Sequence, residues 1–145
     1  MSVDTENAQS DIFQLLHRAE QRAKSMFARE AAGVDLTLRQ IAILEAIRDG
    51  GTVIQSDIVQ RTGIDRSTVT ELMGRMDSRG LVSRERDARD ARAYLVSVTD
   101  RGSAQLVEAR RAAERASAAF IESLPENLRE SFVRSLKIAA GVAQG

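Results

Sequence analysis

Between Gln55 and Arg92 the chain carries a dense set of side chains able to exchange hydrogen bonds with a polar, charged partner: Gln55, Ser56, Arg66, Ser67, Thr68, Thr70, Glu71, Arg75, Arg84, Arg89, Asp90 and Arg92. Hydroxyls fit close to a base edge or a phosphate and can donate or accept there, and arginine presents a planar fork of donors that suits both. Bond-making chemistry is harder to assemble. The sequence has no cysteine and one histidine, His17, so neither a thiol nucleophile nor a typical zinc site or triad can be built. Gly50-Gly51 lacks the Gly-Lys-Ser/Thr that would follow in a phosphate loop. Carboxylate pairs such as Asp87 with Asp90 read as solvated charges. Recognition is therefore expected, with no catalytic residue, no metal and no cofactor.

The elements that must position these groups follow from spacing. Gly63 is a pivot, able to take the positive φ of a sharp turn between two helices. Ile58 and Val59 supply apolar residues before it; Val69, Leu72, Met73 and Met76 after it fall at i, i+3, i+4 and i+7, one buried stripe of a helix. Asp65 stands at the N-cap of that helix. The face opposite the stripe carries Ser67, Thr70, Glu71, Gly74 and Arg75, with Arg66 at its mouth. Past a stop at Gly80, residues 81–86 and 93–98 are strand-like, and the six between them, DARDAR, are too polar for a core. Two helices about a tight turn, followed by a hairpin with a charged tip, make a winged helix-turn-helix. Small hydroxyls and arginines on the second helix suit a DNA major groove, although they are also ordinary surface residues.

At this point the chain resembles the MarR-type transcriptional regulators, from Leu36 to Gly102: LTLRQIAIL, the helix-turn-helix, GLVSRERDARDARA and VTDRG. The most specific part is the wing, where MarR-type proteins carry Asp-x-Arg-Asp-x-Arg and this chain has Asp87, Arg89, Asp90 and Arg92. The resemblance implies that Arg92 enters the minor groove with Asp90 holding its guanidinium. A narrow minor groove concentrates negative potential and attracts a permanently charged, planar arginine. This chain departs from the pattern at Ala88, where proline is usual, at Ala91, where a further arginine is common, and at Glu71, where many members have a basic or amide side chain. A carboxylate at that last position can accept from cytosine N4 but repels phosphate.

Outside the module, apolar residues from Ile12 to Phe27 recur by threes and fours, predicting a helix over about residues 8–32 that ends at Gly33. Thr37 as N-cap, Gln40 three residues on, and Leu36 with Ile41 as a staple predict the start of a second helix, which Gly50-Gly51 ends. Thr52-Val53-Ile54 is β-branched enough for a small third strand. Thr99 caps a long helix reaching about Ser123, with Asp100 favourable in its first turn. Leu124-Pro125 then breaks the chain before a last helix that ends near Gly141.

With 145 residues, 43% hydrophobic and 29% charged, the chain is long enough to bury a core as one domain. Its 21 basic and 21 acidic side chains cancel, so attraction to a polyanion must come from a local patch. No apolar run approaches the ~20 residues of a membrane span, and the first residues are polar, so a cytoplasmic location without membrane contact is expected. The absence of cysteine also excludes disulfides and thiol-based peroxide sensing.

The expected fold is mostly α with a small β-wing: a winged helix-turn-helix DNA-binding core at about 37–98, with dimerisation helices at about 8–32 and 100–141, in one domain. Two readings compete for the apolar stripes of the terminal helices. They could close the core of a monomer, or, as the resemblance implies, interleave across a two-fold axis through Ile12, Leu16, Phe120, Leu128, Phe132 and Leu136. A homodimer would set two recognition helices about one DNA turn, ~34 Å, apart on a pseudo-palindromic operator. The resemblance further implies a repressor released by a small aromatic or phenolic effector, whose binding residues the sequence does not assign. His17 could face the effector cleft, or be an ordinary exposed or hydrogen-bonded histidine. The alternative function is a winged helix that binds protein without specific DNA binding; the spacing of Arg89 and Arg92 with acids favours the minor-groove reader.

Overall fold

The computed structural model of the chain describes residues 5–143, with side chains from Asp11 onward. Six helices and a two-stranded sheet follow in the order α1 (Thr5–Glu30), α2 (Leu38–Gly50), α3 (Gln55–Thr62), α4 (Arg66–Ser78), β1 (Val82–Arg86), β2 (Tyr94–Val98), α5 (Asp100–Glu122) and α6 (Glu126–Ala139). The chain divides into two compact units. One joins the N-terminal stretch up to Glu30 with the stretch from Ala113; the other is Ala31–Ala112.

The Ala31–Ala112 unit holds the winged helix-turn-helix. Its core is made of Ile43, Leu44 and Ile47 of α2, Ile58 of α3, Val69, Met73 and Met76 of α4, Leu81 and Val96 of the hairpin, and Leu106 of α5, all under 2% exposed. Each such side chain withdrawn from water contributes about 1.5–3 kcal/mol of transfer free energy. Of the stripe expected on α4, Val69, Met73 and Met76 are buried and Leu72 is half-buried.

Local signals set the boundaries. Thr37 Oγ1 accepts the Gln40 amide at 3.2 Å while Gln40 Oε1 accepts the Thr37 amide at 3.0 Å, the reciprocal box that starts α2. Gly63, at φ 69°, closes α3 and turns the chain into α4. Thr99 Oγ1 accepts the Gly102 amide at 3.0 Å and donates to the Gly80 carbonyl at 2.6 Å, so one hydroxyl caps α5 and ties it to the end of α4.

The strands pair antiparallel, with Val82 opposite Val98, Arg84 opposite Val96 and Arg86 opposite Tyr94. The third strand expected at residues 52–54 is a single bridge: Val53 exchanges two hydrogen bonds with Val96, at 3.0 and 2.8 Å. Gly51 at φ 77° precedes it and α3 begins at Gln55, which leaves no length for more pairing. The first helix ends at Glu30, two residues short of the expected Ala32, because Ala31 to Gly33 form a turn with Gly33 at φ 87°.

In the other unit, the Phe120 and Phe132 rings lie 6.2 Å apart and the Arg22 guanidinium stands 5.7 Å from the Phe120 ring. Arg115 reaches Glu30 through both its carboxylate, at 3.0 Å, and its carbonyl, at 3.2 Å. Arg129 donates to the carbonyls of Glu122 and Leu124, satisfying acceptors left free where α5 ends. No residue of α6 is buried. Ile12, Phe13, Leu15, Leu16, Leu128, Leu136, Ile138 and Val142 are all exposed.

Candidate nucleic-acid interface

The second helix of the helix-turn-helix presents Arg66, Ser67, Thr70, Glu71 and Arg75 as exposed side chains, while Val69, Met73 and Met76 fix the opposite face in the core. Its N-terminus is held by Asp65. That carboxylate accepts the Thr68 amide at 2.8 Å, the Thr68 hydroxyl at 2.7 Å and the Ser67 hydroxyl at 2.7 Å. These bonds, led by the Ser67 hydroxyl, hold the Asp65 carboxyl far below the usual carboxylate range. Thr68 is thereby turned toward the cap and half-buried, so of the two hydroxyls Ser67 is the more open to a ligand.

Gln55 and Thr70 were expected at the interface from different helices, and the structure joins them. Gln55 Nε2 donates to Thr70 Oγ1 at 2.6 Å, and that hydroxyl donates to the Arg66 carbonyl at 2.8 Å. The first residue of α3 is thus tied to the exposed face of α4. Ser56 is exposed beside it. One turn further along α4, Arg75 and Glu71 form an ion pair at 2.6 Å.

At the wing, Asp87 Oδ1 accepts the Arg89 amide at 2.9 Å and Asp90 Oδ1 accepts the Arg92 amide at 3.0 Å. The Asp-x-Arg-Asp-x-Arg run is therefore two successive Asx turns. Asp90 was expected to hold the Arg92 guanidinium; it holds the Arg92 backbone. The reason is local: an aspartate two residues before an amide reaches that amide without immobilising a long, flexible side chain. The tip is closed by Asp87 N–H on the Ala93 carbonyl and Ala93 N–H on the Asp90 carbonyl, each 3.0 Å. Arg89 and Arg92 are exposed, and among the described residues neither guanidinium has an ion-pair partner. Both stay available to an external anion.

Arg84 differs from these two. It is half-buried, its Nε has no hydrogen-bond partner, and its guanidinium lies 5.9 Å from the Tyr94 ring, with that of Arg86 at 5.7 Å. Sequence reasoning missed Arg86 and Tyr94. Alternation carried the signal: counting back by two from the buried Val96 puts Tyr94 on the face of Arg84 and Arg86. The ring braces two arginines near the tip through cation–π contact.

The six residues expected at a dimer interface lie in the unit of the terminal helices. Ile12, Leu16, Leu128 and Leu136 are exposed there, whereas Phe120 and Phe132 are half-buried against each other. Phe13, at 76% exposure, was missed, since it falls outside the three-and-four spacing of Ile12, Leu15, Leu16 and Ala19, although the structure leaves Ile12, Leu15 and Leu16 exposed as well. His17 is exposed. Among the described residues, no cluster of three His, Asp or Glu could hold a metal ion, and no helix is long and apolar enough to cross a membrane.

Comparison with known proteins bears on this geometry. A family model described as the MarR family matches residues 34–93. The chain is 34% identical over 92 residues to the HTH-type transcriptional repressor NicR of Pseudomonas putida, a match that covers 63% of this chain and 58% of NicR. It is 32% identical over 103 residues to the transcriptional regulator HosA of Escherichia coli, covering 71% of this chain and 76% of HosA. Among solved structures, BpsR of Bordetella bronchiseptica, whose DNA binding is regulated by 6-hydroxynicotinic acid, superposes with a TM-score of 0.81 at 31% identity, covering 89% of this chain and 92% of BpsR.

Proposed function

The chain belongs to the MarR family of transcriptional regulators, and on that premise we propose that it is a homodimeric, sequence-specific DNA-binding repressor released from a pseudo-palindromic operator by a small aromatic or phenolic effector. The observation that carries the reading is the pairing of an exposed polar face on α4 with two unpaired wing arginines in one unit. The helix reads base edges in the major groove; the wing follows the backbone into the adjacent minor groove. With a net charge of zero, the protein relies on these local arginines for its attraction to phosphate.

Dimerisation is assigned to the terminal helices, because their exposed apolar side chains fit a second copy of the same chain. Joining two reading heads raises affinity through effective concentration and answers the modest charge of each. The likeness to BpsR supports a small aromatic acid or phenol as effector. It would act by binding more tightly to a dimer whose heads are wrongly spaced for the operator, a coupling of about 1–3 kcal/mol. The protein works in the cytoplasm and performs no catalysis.

The test is fluorescence anisotropy of the intact protein with its own upstream intergenic DNA and a scrambled duplex across a salt series, with and without 6-hydroxynicotinic acid as the first effector probe. Nanomolar, salt-sensitive preference for the upstream sequence is expected. Equal micromolar binding to both duplexes would remove the regulator reading.

A further inference from the structure

We propose that Glu71 and Arg75 act together as a base-reading pair that selects a cytosine and a neighbouring guanine in each half of the operator. The proposal rests on the DNA-binding function above and names the bases that function recognises. Glu71 lies in the second turn of α4 on the exposed face, 61% exposed at its side chain, and Arg75 one turn on is 66% exposed. Their Cβ atoms project from one side of the helix, and four residues of helix advance about 6 Å, close to two base-pair steps.

A lone carboxylate facing DNA is repelled by phosphates and by most of what the major groove displays. Guanine shows two acceptors there, and thymine shows an acceptor and a methyl group. Only cytosine N4 and adenine N6 donate. Adenine sets its N7 acceptor beside N6, against the second carboxylate oxygen, whereas cytosine has a C–H next to N4. Glu71 as an ionised acceptor is therefore satisfied by cytosine and unsatisfied or repelled elsewhere.

Arg75 removes the objection to the charge. Its terminal nitrogen donates to Glu71 Oε1 at 2.6 Å, which sets a positive charge beside the ionised carboxylate before DNA arrives. The same guanidinium keeps further donors for O6 and N7 of guanine. On the same exposed face, Thr70, adjacent to Glu71, is tied both to Gln55 and to the Arg66 carbonyl. A purely solvated helix pair of this kind contributes only a few tenths of a kcal/mol to the fold and would leave sequence preference untouched when broken.

The experiment is selection of binding duplexes from a random pool by the intact parent protein, Glu71→Gln and Arg75→Ala, each folded form checked by circular dichroism. The parent should enrich cytosine at one position of each half-site, with guanine within two steps. Glu71→Gln should move that cytosine to adenine, which glutamine reads through N6 and N7, while other positions keep their preference; Arg75→Ala should relax the guanine. In competition binding, the parent should prefer cytosine over adenine at that position by about tenfold and Glu71→Gln should reverse the order. An identical consensus for parent and Glu71→Gln would overturn the proposal and leave the repressor intact. A parent that enriches no sequence at all would overturn both.

Discussion

Asp90 Oδ1 accepts the Arg92 amide at 3.0 Å, so the carboxylate shapes the wing tip and leaves the arginine side chain free. An Asx turn needs an acceptor oxygen, not a charge. Asp90→Asn should bind DNA at least as tightly as the parent, because it keeps the acceptor and removes a repulsive charge. Asp90→Ala should bind more weakly. If both variants lost affinity equally in an anisotropy titration, the charge itself would be what matters. Arg92→Ala should cost roughly 1–3 kcal/mol of operator binding and lower the salt slope by about one, as removal of one groove contact does.

Asp65 gives a pH dependence. Three hydrogen bonds from Ser67 and Thr68 stabilise its ionised form, so its folded-state pKa is depressed below the ordinary 3.8. A depressed carboxylate contributes stability that is fully present above the unfolded value and is lost as pH falls below it. The urea midpoint of the parent should therefore exceed that of Asp65→Ala at pH 7, and the gap should narrow from about pH 4 downward. A gap unchanged at pH 3 would place the benefit elsewhere than in the ionised cap.

How far the chain could be read from sequence depended on the range of the signal. Thr37 with Gln40, Gly63 and Asp65 act within four residues, and each was legible because the hydrogen-bonding partners are set by spacing alone. Val53 was over-read as part of a strand: its β-branched neighbours gave the propensity, but only Val53 itself meets Val96. The bond from the Arg92 amide to Asp90 was not anticipated, because an ion pair to the Arg92 side chain and a bond to its amide share the same spacing. Tyr94 between Arg84 and Arg86 depends on strand register, and the link from Gln55 to Thr70 spans fifteen residues. Neither follows from local pattern.

The exposed face of the terminal helices predicts an oligomeric state. Leu136→Glu places a charge in an apolar surface that the dimer reading buries, and burying an unpaired carboxylate is costly. Since no residue of α6 is buried in the single chain, the variant monomer should still fold. Sedimentation should show the parent as a dimer and Leu136→Glu as a monomer with retained helical signal and much weaker operator binding. A Leu136→Glu protein that stayed dimeric would show that this part of α6 lies outside the interface.

Gly102 tests the seat of the wing. It is buried in the first turn of α5, and a Cβ built there would collide with the Leu81 carbonyl and crowd Val98 Cγ1. Both neighbours are constrained: the Leu81 carbonyl accepts the Thr99 amide at 3.1 Å, and Val98 pairs with Val82 in the sheet. Alanine at a helical glycine would ordinarily stabilise by up to about 1 kcal/mol. Here the clash should win, because overpacking a fixed site costs about 1–3 kcal/mol. Gly102→Ala should therefore lower the thermal midpoint by several degrees, roughly 2–8 °C, and should weaken DNA binding by shifting the hairpin base. Gly74→Ala serves as the control, since that glycine is helical with open space around it. It should raise the thermal midpoint slightly; a fall as large as that of Gly102→Ala would mean that helix propensity and the close approach to Leu81 are not what separates the two positions.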